Sequence, residues 1–162
     1  MKQSNVNEHT NRFTTVLFII YLIVLGWVLL LKLGVHFSYM EERRTNLIPF
    51  GDFFILTTEN IWNVLIFVPL GIYTEILFEK WGMGKKLCFA FLLSLLIEGL
   101  QYTLRIGAFD STDIITNSLG AVIGFIVFKA LASVFRSRAK AQKLMNPMAA
   151  LGTAVMILLL CF

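Results

Sequence analysis

Long apolar stretches separated by short polar segments make up most of this chain. Each stretch approaches the roughly 20 helical residues that are needed to cross the hydrocarbon core of a membrane. Because backbone polar groups must find internal partners within lipid, we predict that each stretch is a helix. The five predicted spans cover about Phe13–Leu31, Ile61–Phe78, Leu87–Leu104, Ile114–Phe135 and Met148–Phe162.

Two prolines affect the predicted shapes and ends of these helices. Pro69 lies inside the second stretch and predicts a kink, because proline removes one backbone hydrogen bond. Asn146-Pro147 predicts a break before the fifth stretch, which is also the shortest. The fifth element is therefore either a short span or a helix on the membrane surface. The first stretch lacks a small-residue cleavage site and is expected to stay as a span.

The composition indicates a membrane protein. Hydrophobic residues make up 57% of the 162 positions and charged residues only 15%, which excludes a soluble globular protein. The length allows a single membrane domain over residues 1–162 and no separate soluble domain. We therefore predict an all-α fold, a polytopic integral membrane helical bundle with about five transmembrane helices.

The net charge of +4 reports membrane topology rather than a nucleic-acid partner, because the basic residues lie in short segments between spans. Nine of them, in groups of two, three and four, lie before span one, between spans two and three, and between spans four and five. Only four lie in the alternate segments. The positive-inside rule then predicts a cytoplasmic N-terminus, with the loop 35–60 and the turn 106–112 outside.

Neither cysteine nor histidine points to a metal site. Cys88 and Cys161 lie in or beside apolar stretches, without a pairable spacing, and are interpreted as small hydrophobic residues. His9 and His36 each stand alone in the N-terminal segment and the outer loop. We therefore predict no disulfide, no metal and no cofactor.

Polar side chains at membrane depth are concentrated near the third and fourth stretches. Glu98, Gln101 and Arg105 are spaced i, i+3 and i+7, which places them on one helix face. Asp113 and Asn117 follow at the start of the next helix, which is expected to be an antiparallel neighbour. Glu98 lies about two turns below the interface, where a carboxylate must be protonated or paired. Together these residues predict one polar pocket that opens to the outside.

Glycine spacing indicates where the helices come close together. Gly120 and Gly124 form a Gly-x-x-x-Gly pattern, which permits close packing either within the monomer or in a dimer. With a rise of about 1.5 Å per residue, Gly120 is expected at the depth of Glu98, where it would leave room for the glutamate. Asn63 is expected to enter the same pocket from the outer end of the second helix.

Several of these polar residues also have a purely structural interpretation. Asp110 and Asp113 have the spacing of a helix N-cap and its third helical residue, so each either caps the fourth helix or serves the pocket. Arg105 is an interface anchor, a structural partner of Asp113 or a pocket residue. Asn63 and Gln101 fit simple hydrogen bonding between helices equally well.

The outer loop carries a second motif in residues Arg43–Phe50. Pro49 favours an extended conformation for the residue before it, so this segment is not a continuing helix. Its apolar side chains indicate that it lies on the membrane surface or folds back over the bundle, and a lid over the pocket is one hypothesis. Arg43 and Arg44 meet anionic head groups, a phosphate or the pocket carboxylates, or they form a solvated charge pair with the two preceding glutamates.

Four short blocks follow one another over about residues 40–130. They are Asn46-Leu-Ile-Pro-Phe50, Asn60-Ile-Trp-Asn63 with Phe67-Val-Pro69-Leu-Gly71, Glu98-Gly-Leu-Gln101, and Asp110-Ser-Thr-Asp113-Ile-Ile-Thr-Asn117-Ser-Leu-Gly120. In this order and spacing they resemble the VanZ-like family. The resemblance implies a small multi-pass protein of the bacterial plasma membrane, with an additional C-terminal span at about 148–162. It also implies resistance to the lipoglycopeptide antibiotic teicoplanin.

The family has no settled reaction, so the resemblance implies motif positions rather than assigned roles. The candidate catalytic residues are Glu98, Arg105 and Asp113. The candidate ligand-binding residues are Asn46, Asn63, Gln101, Asp110 and Asn117.

Three functions are compatible with this sequence. In the first, the pocket acts at the outer leaflet on the lipid tail of the antibiotic or on a cell-envelope lipid or precursor, with no nucleic-acid partner. In the second, the chain is an intramembrane enzyme: Glu98 is the acid or base, Arg105 holds a phosphate or carboxylate, and Asp113 orients a water or hydroxyl. In the third, the protein is a scaffold or small-solute carrier that works through partner proteins or as an oligomer.

Overall fold

The structure is a computed structural model that describes residues 2–31, 42–51 and 57–161. In this part of the chain it contains five helices: α1 (Lys2–Leu31), α2 (Thr58–Leu77), α3 (Met83–Leu104), α4 (Ser111–Val134) and α5 (Arg138–Cys161). Two strands of two residues each, β1 (Thr45–Asn46) and β2 (Phe109–Asp110), add a minimal parallel pairing. The predicted all-α bundle is confirmed.

Four of the helices are long and apolar enough to cross a membrane. They cover Asn11–Leu30, Thr58–Leu77, Met83–Leu104 and Ser111–Val134, and they correspond to the first four predicted spans. The fifth predicted span is not among them in the described part of the chain. The chain is therefore a membrane protein with four candidate spans in the part that the structure describes.

The helices α2 and α4 begin about one turn before the apolar stretches that predicted them. Thr57 caps α2 by accepting a hydrogen bond from the Asn60 N–H at 3.1 Å. Asp110 caps α4 by accepting one from the Thr112 N–H at 2.7 Å. Because a side-chain cap satisfies otherwise orphaned N–H groups, a polar first turn can extend each helix beyond its hydrophobic part.

The predicted break at Asn146-Pro147 is wrong. Helix α5 starts at Arg138 and continues through Pro147. Contacts with α1 hold the turn before the proline: the Thr14 hydroxyl donates to Asn146 Oδ1 at 3.0 Å and accepts from Gln142 Nε2 at 2.9 Å. These tertiary contacts stabilise the helix where proline has removed a backbone hydrogen bond.

Pro69, in contrast, lies inside α2 as predicted. Near it, the carbonyl oxygen of Ile66 accepts a hydrogen bond from the hydroxyl of Tyr21 on α1 at 2.7 Å. Tyr21 is fully buried. A neighbouring helix thus supplies a donor to the backbone close to the proline, which is the condition under which proline is tolerated in a membrane helix.

Helices α2 and α4 form the tightest contact of the bundle, and glycine makes it possible. A Cβ atom on Gly71, Gly120 or Gly124 would lie 2.0–2.2 Å from a backbone carbonyl oxygen of the opposing helix. The close packing predicted for Gly120 and Gly124 is therefore found within the monomer. The expected room for Glu98 is not, because Gly120 faces Val64 and Phe67 on α2 instead.

Candidate functional site

A polar cavity of about 340 Å³ lies among the helices at the end of the bundle where α2 and α4 begin. All five helices contribute to its wall. The polar lining residues are Thr58, Glu59, Asn63, Glu98, Gln101, Asp113 and Asn117. The apolar lining residues are Val28, Leu29, Trp62, Ile66 and Met156. Five of the eight candidate site residues from the sequence therefore meet in one place.

The side-chain amide of Asn63 connects α2 to the first turn of α4. Its Nδ2 donates to Asp113 Oδ1 at 2.8 Å. Asn63 is buried and Asp113 lies in the first turn of α4, where the helix dipole favours a negative charge. Asp113 is thus a carboxylate in the first helical turn and also a cavity residue. The structural interpretation and the pocket interpretation of this position are therefore compatible.

Glu98 is buried, with only 2% of its surface exposed, and connects α3 to the start of α4. Its Oε2 accepts a hydrogen bond from the Asp110 N–H at 3.0 Å. The α3 helix places this side chain between the cavity and the turn that follows the helix. The Oε2 atom of Glu98 therefore acts as a hydrogen-bond acceptor for the first residues of the α4 cap.

Asp110 has a different position from the other carboxylates. Its Oδ1 caps α4, while its Oδ2 accepts from Asn46 Nδ2 of β1 at 3.1 Å. Neither Asp110 nor Asn46 lines the cavity. The structure therefore places Asp110 as the N-cap of α4 and as an anchor for the outer loop.

Asn117 lies one turn deeper than Asp113 and is almost fully buried, at 1% exposure. Its Nδ2 donates to the hydroxyl of Ser94 on α3 at 2.9 Å. Its Oδ1 is buried and has no hydrogen-bond partner. An amide oxygen in this condition is ready to accept a hydrogen bond from a molecule in the cavity.

Gln101 combines a structural contact with a position in the cavity wall. Its Nε2 donates to the carbonyl oxygen of Leu29 at 2.9 Å, which ties α3 to α1. Both residues line the cavity. The sequence also allowed Gln101 to serve only as a hydrogen-bonding link between helices. Its Nε2 donor does form such a link.

Arg105 is not on the helix face that its spacing predicted. Helix α3 ends at Leu104, and Arg105 is its C-cap with a left-handed backbone (φ 59°, ψ 32°). The Ile106 N–H returns to the Gln101 carbonyl at 3.0 Å, which closes the helix end. The i+7 projection requires a helix that continues, so the side chain is exposed and does not line the cavity.

The described part of the outer loop folds back over the α3–α4 turn. β1 pairs with β2, and the guanidinium of Arg43 lies 5.5 Å from the ring centre of Tyr102 on α3. None of residues 42–51 lines the cavity, so this part of the loop is not a lid over it. Leu47 and Ile48 remain 68% and 71% exposed. Residues 52–56 of the predicted outer loop lie outside the described residues.

Sequence reasoning missed part of the cavity wall. Glu59 is an acidic residue in the first turn of α2, as Asp113 is in α4, and both helices start at the same end of the bundle. This shared position of two first-turn acidic residues was the signal by which the sequence could have identified Glu59 as a cavity residue. Met156 in the wall, and Ser94, which contacts Asn117 without lining the cavity, carry no comparable signal, because a single serine or methionine in an apolar helix usually serves packing. Among the described residues, no group of three or more His, Cys, Asp or Glu side chains is placed to hold a metal ion.

A second polar cluster lies at the other end of α2, and sequence reasoning did not connect its members. Lys86 Nζ lies 2.5 Å from Glu75 Oε2, and both side chains are only 4% exposed. Arg138 at the start of α5 donates to the Glu75 carbonyl at 2.7 Å and lies 3.1 Å from Glu79 Oε1. We refer to Glu75, Lys86, Arg138 and Glu79 as the ion cluster.

Comparison with known proteins gives a consistent result. The VanZ/LLP1 family model matches residues 18–136. Protein VanZ of Enterococcus faecium is 33% identical over 150 residues, and the alignment covers 88% of each chain. No solved structure matches the chain.

Proposed function

The chain belongs to the VanZ/LLP1 family, and from this membership we propose that it protects a bacterial cell against teicoplanin. The 33% identity to Protein VanZ over nearly the whole of both chains carries this proposal. The family match over residues 18–136 covers part of α1 and all of α2, α3 and α4, which line the cavity together with α5. We further propose that the cavity is the working site and that it faces the outside of the plasma membrane.

The proposed orientation follows from the basic residues. The positive-inside rule assigns the N-terminus and the ion cluster to the cytoplasmic side. The cavity lies at the opposite end of α2 and α4, which corresponds to the outer leaflet. Teicoplanin carries an acyl tail and acts on cell-wall precursors outside the cell, so the cavity would meet it or its target there.

The cavity supports a binding mechanism. It combines an apolar wall, which suits a lipid chain, with buried carboxylate and amide oxygens, which suit the donors of a polar head group. In this mechanism, the protein binds the tail of the antibiotic or an envelope lipid, so less drug reaches its target.

Catalysis is the second candidate function, and it has one observation in its favour: the buried side chain of Glu98 lines the same cavity as Asp113. The cation assigned to the substrate phosphate in that mechanism, Arg105, is exposed outside the cavity. We therefore favour binding. Conversion of a lipid-linked precursor by the purified protein, with loss of turnover in Glu98→Gln, would reverse this preference.

Drug susceptibility tests the proposal directly. We expect expression of the chain in a susceptible Gram-positive host to raise the inhibitory concentration of teicoplanin and not that of vancomycin, which lacks the acyl tail. Equal protection against both drugs would contradict a mechanism based on the lipid tail. No protection at verified membrane expression would contradict the proposed function itself.

A further inference from the structure

A groove on the outer surface of the bundle lies between α2 and α5 and adjoins the polar cavity. It has a volume of about 380 Å³. Apart from the indole N–H of Trp62, its lining side chains are apolar: Trp62, Leu65, Ile66, Pro69, Met148, Leu151, Gly152, Val155 and Met156. On a membrane-spanning helix such as α2, a surface of this kind contacts lipid chains.

The groove and the cavity share part of their walls. Trp62, Ile66 and Met156 line both of them. The side chain of Trp62 is 48% exposed, so it stands at the boundary rather than within a sealed core. These three side chains therefore stand between the groove and the cavity, and a molecule that moves from one to the other has to pass them.

The cavity offers a specific acceptor to such a molecule. Asn117 Oδ1 is buried without a hydrogen-bond partner, while Nδ2 of the same amide is held by the Ser94 hydroxyl. Leaving a buried acceptor unsatisfied is costly, and a donor from a ligand would remove that cost. The donor must come from a group small enough to reach Asn117 in the cavity wall.

We propose that the cavity takes a membrane amphiphile whose alkyl or acyl chain lies in the α2–α5 groove and whose head group donates a hydrogen bond to Asn117 Oδ1. The head group is therefore a hydroxyl, an amide N–H or an ammonium, not an ester or ether. This inference rests on the proposed function, because it takes the cavity to be the ligand site. It adds the route of entry and the chemistry of the head group.

Tryptophan fluorescence provides the readout. The chain contains three tryptophans, and replacing Trp27 and Trp81 by phenylalanine leaves Trp62 at the junction of groove and cavity. The probe is dibrominated octadecanol, whose bromines quench tryptophan on contact, added to the purified full-length chain in detergent. We expect saturable quenching of Trp62.

The matched methyl ether of the same alcohol tests the donor. It has the same chain but no O–H group, and we expect it to bind about fivefold more weakly, the ordinary effect of one hydrogen bond. In Asn117→Leu the alcohol should bind as weakly as the ether, whereas Asn117→Asp keeps an acceptor and should retain the preference. Equal binding of alcohol and ether by the unmodified Asn117 site would overturn the assignment of the head group.

A substitution at Gly152 tests the route. A Cβ atom at this position meets nothing within 4 Å, so Gly152→Phe adds a ring that projects into the groove. Gly99 on α3 is equally open and lies away from the groove, which makes Gly99→Phe the matched control. We expect Gly152→Phe to weaken binding of the alcohol about tenfold or more, as loss of the chain's buried contacts requires, and Gly99→Phe to leave it unchanged.

Val155→Phe provides a second obstruction, since Val155 is 46% exposed and lines the same groove. Unchanged binding in either groove variant that retains helical circular dichroism and elutes as a single species would overturn the lateral route. The teicoplanin assay separates this failure from that of the proposed function. Suppose that Glu98→Gln loses protection while Gly152→Phe binds the probe as well as the unmodified chain does. This outcome would contradict the route alone. No protection by the unmodified chain at verified membrane expression, together with groove-dependent binding of the probe, would contradict the function alone.

Discussion

The ion cluster and the polar residues of the cavity differ in the partners that their buried side chains contact. At one end of α2, the ion cluster joins Glu75 directly to Lys86 and places Arg138 on the same glutamate. At the other end, Asn63 holds Asp113, and a backbone N–H holds Glu98, around an open cavity. In the ion cluster each charge faces an opposite charge, whereas the polar residues of the cavity surround an open volume whose wall includes the unsatisfied acceptor Asn117 Oδ1. The first arrangement stabilises the fold, and the second suits binding.

The largest expected effect comes from breaking the ion cluster. Glu75→Gln leaves the buried ammonium of Lys86 without the carboxylate that lies 2.5 Å from it. Removing one partner of a buried pair costs about 3–5 kcal/mol. Thermal or denaturant unfolding in detergent micelles measures this loss. The double variant Glu75→Gln, Lys86→Met removes both charges and should recover much of the stability, and no recovery would contradict the pairing.

The next effect tests the helix contact that lies between the two clusters. Gly124→Ala would place a Cβ atom 2.1 Å from the Val68 carbonyl oxygen, so α2 and α4 must move apart. Overpacking of this kind costs about 1–3 kcal/mol. The same unfolding assay applies, with Gly26→Ala on α1 as the control because nothing lies within 4 Å of a Cβ there. Equal stability of Gly124→Ala and Gly26→Ala would show that the two helices are not in close contact.

Glu98→Gln should affect function much more than stability. Glutamine can still accept the hydrogen bond from the Asp110 N–H, so we expect a stability change of about 1 kcal/mol or less. Replacing the carboxyl group by an amide at the cavity wall should weaken a donor ligand about tenfold and reduce protection against teicoplanin accordingly. Susceptibility is to be compared at matched amounts of folded protein in the membrane. A large loss of stability with little loss of protection per folded molecule would assign Glu98 to the fold instead.

The smallest effect is expected at Arg105, outside both clusters. Its left-handed backbone favours glycine, and the gain from relieving that conformation roughly offsets the entropy cost of glycine. Arg105→Gly should therefore change the free energy of unfolding by less than about 0.5 kcal/mol and leave protection intact. Loss of protection in this variant would restore Arg105 as a functional residue.

The sequence was sufficient to predict the elements and much of the cavity. Apolar length identified the four candidate spans, and the polar residues Asn63, Glu98, Gln101, Asp113 and Asn117 all line the predicted pocket. The convergence of these side chains was predictable because buried polar side chains are rare in apolar helices and tend to face one another.

Helix ends and helix faces were harder to predict. Arg105 was assigned to the cavity face because α3 was taken to continue through this residue. Its left-handed backbone instead ends the helix and changes the direction of the chain. The partner of Gly120 was taken to be Glu98, because depth along a helix can be counted from sequence but rotation against a neighbour cannot. The ion cluster joins residues from three helices, and no local spacing indicates such a contact.

Asp110 has a consequence for how this protein can change over evolution. Its N–H is bound by Glu98, one of its oxygens caps α4, and the other holds Asn46 of the outer loop. One residue thus joins three segments that are far apart in the chain. A substitution at any of these positions leaves the others with an altered partner, so positions 46, 98 and 110 should accept change jointly rather than singly. In aligned relatives, we expect them to vary as a correlated set.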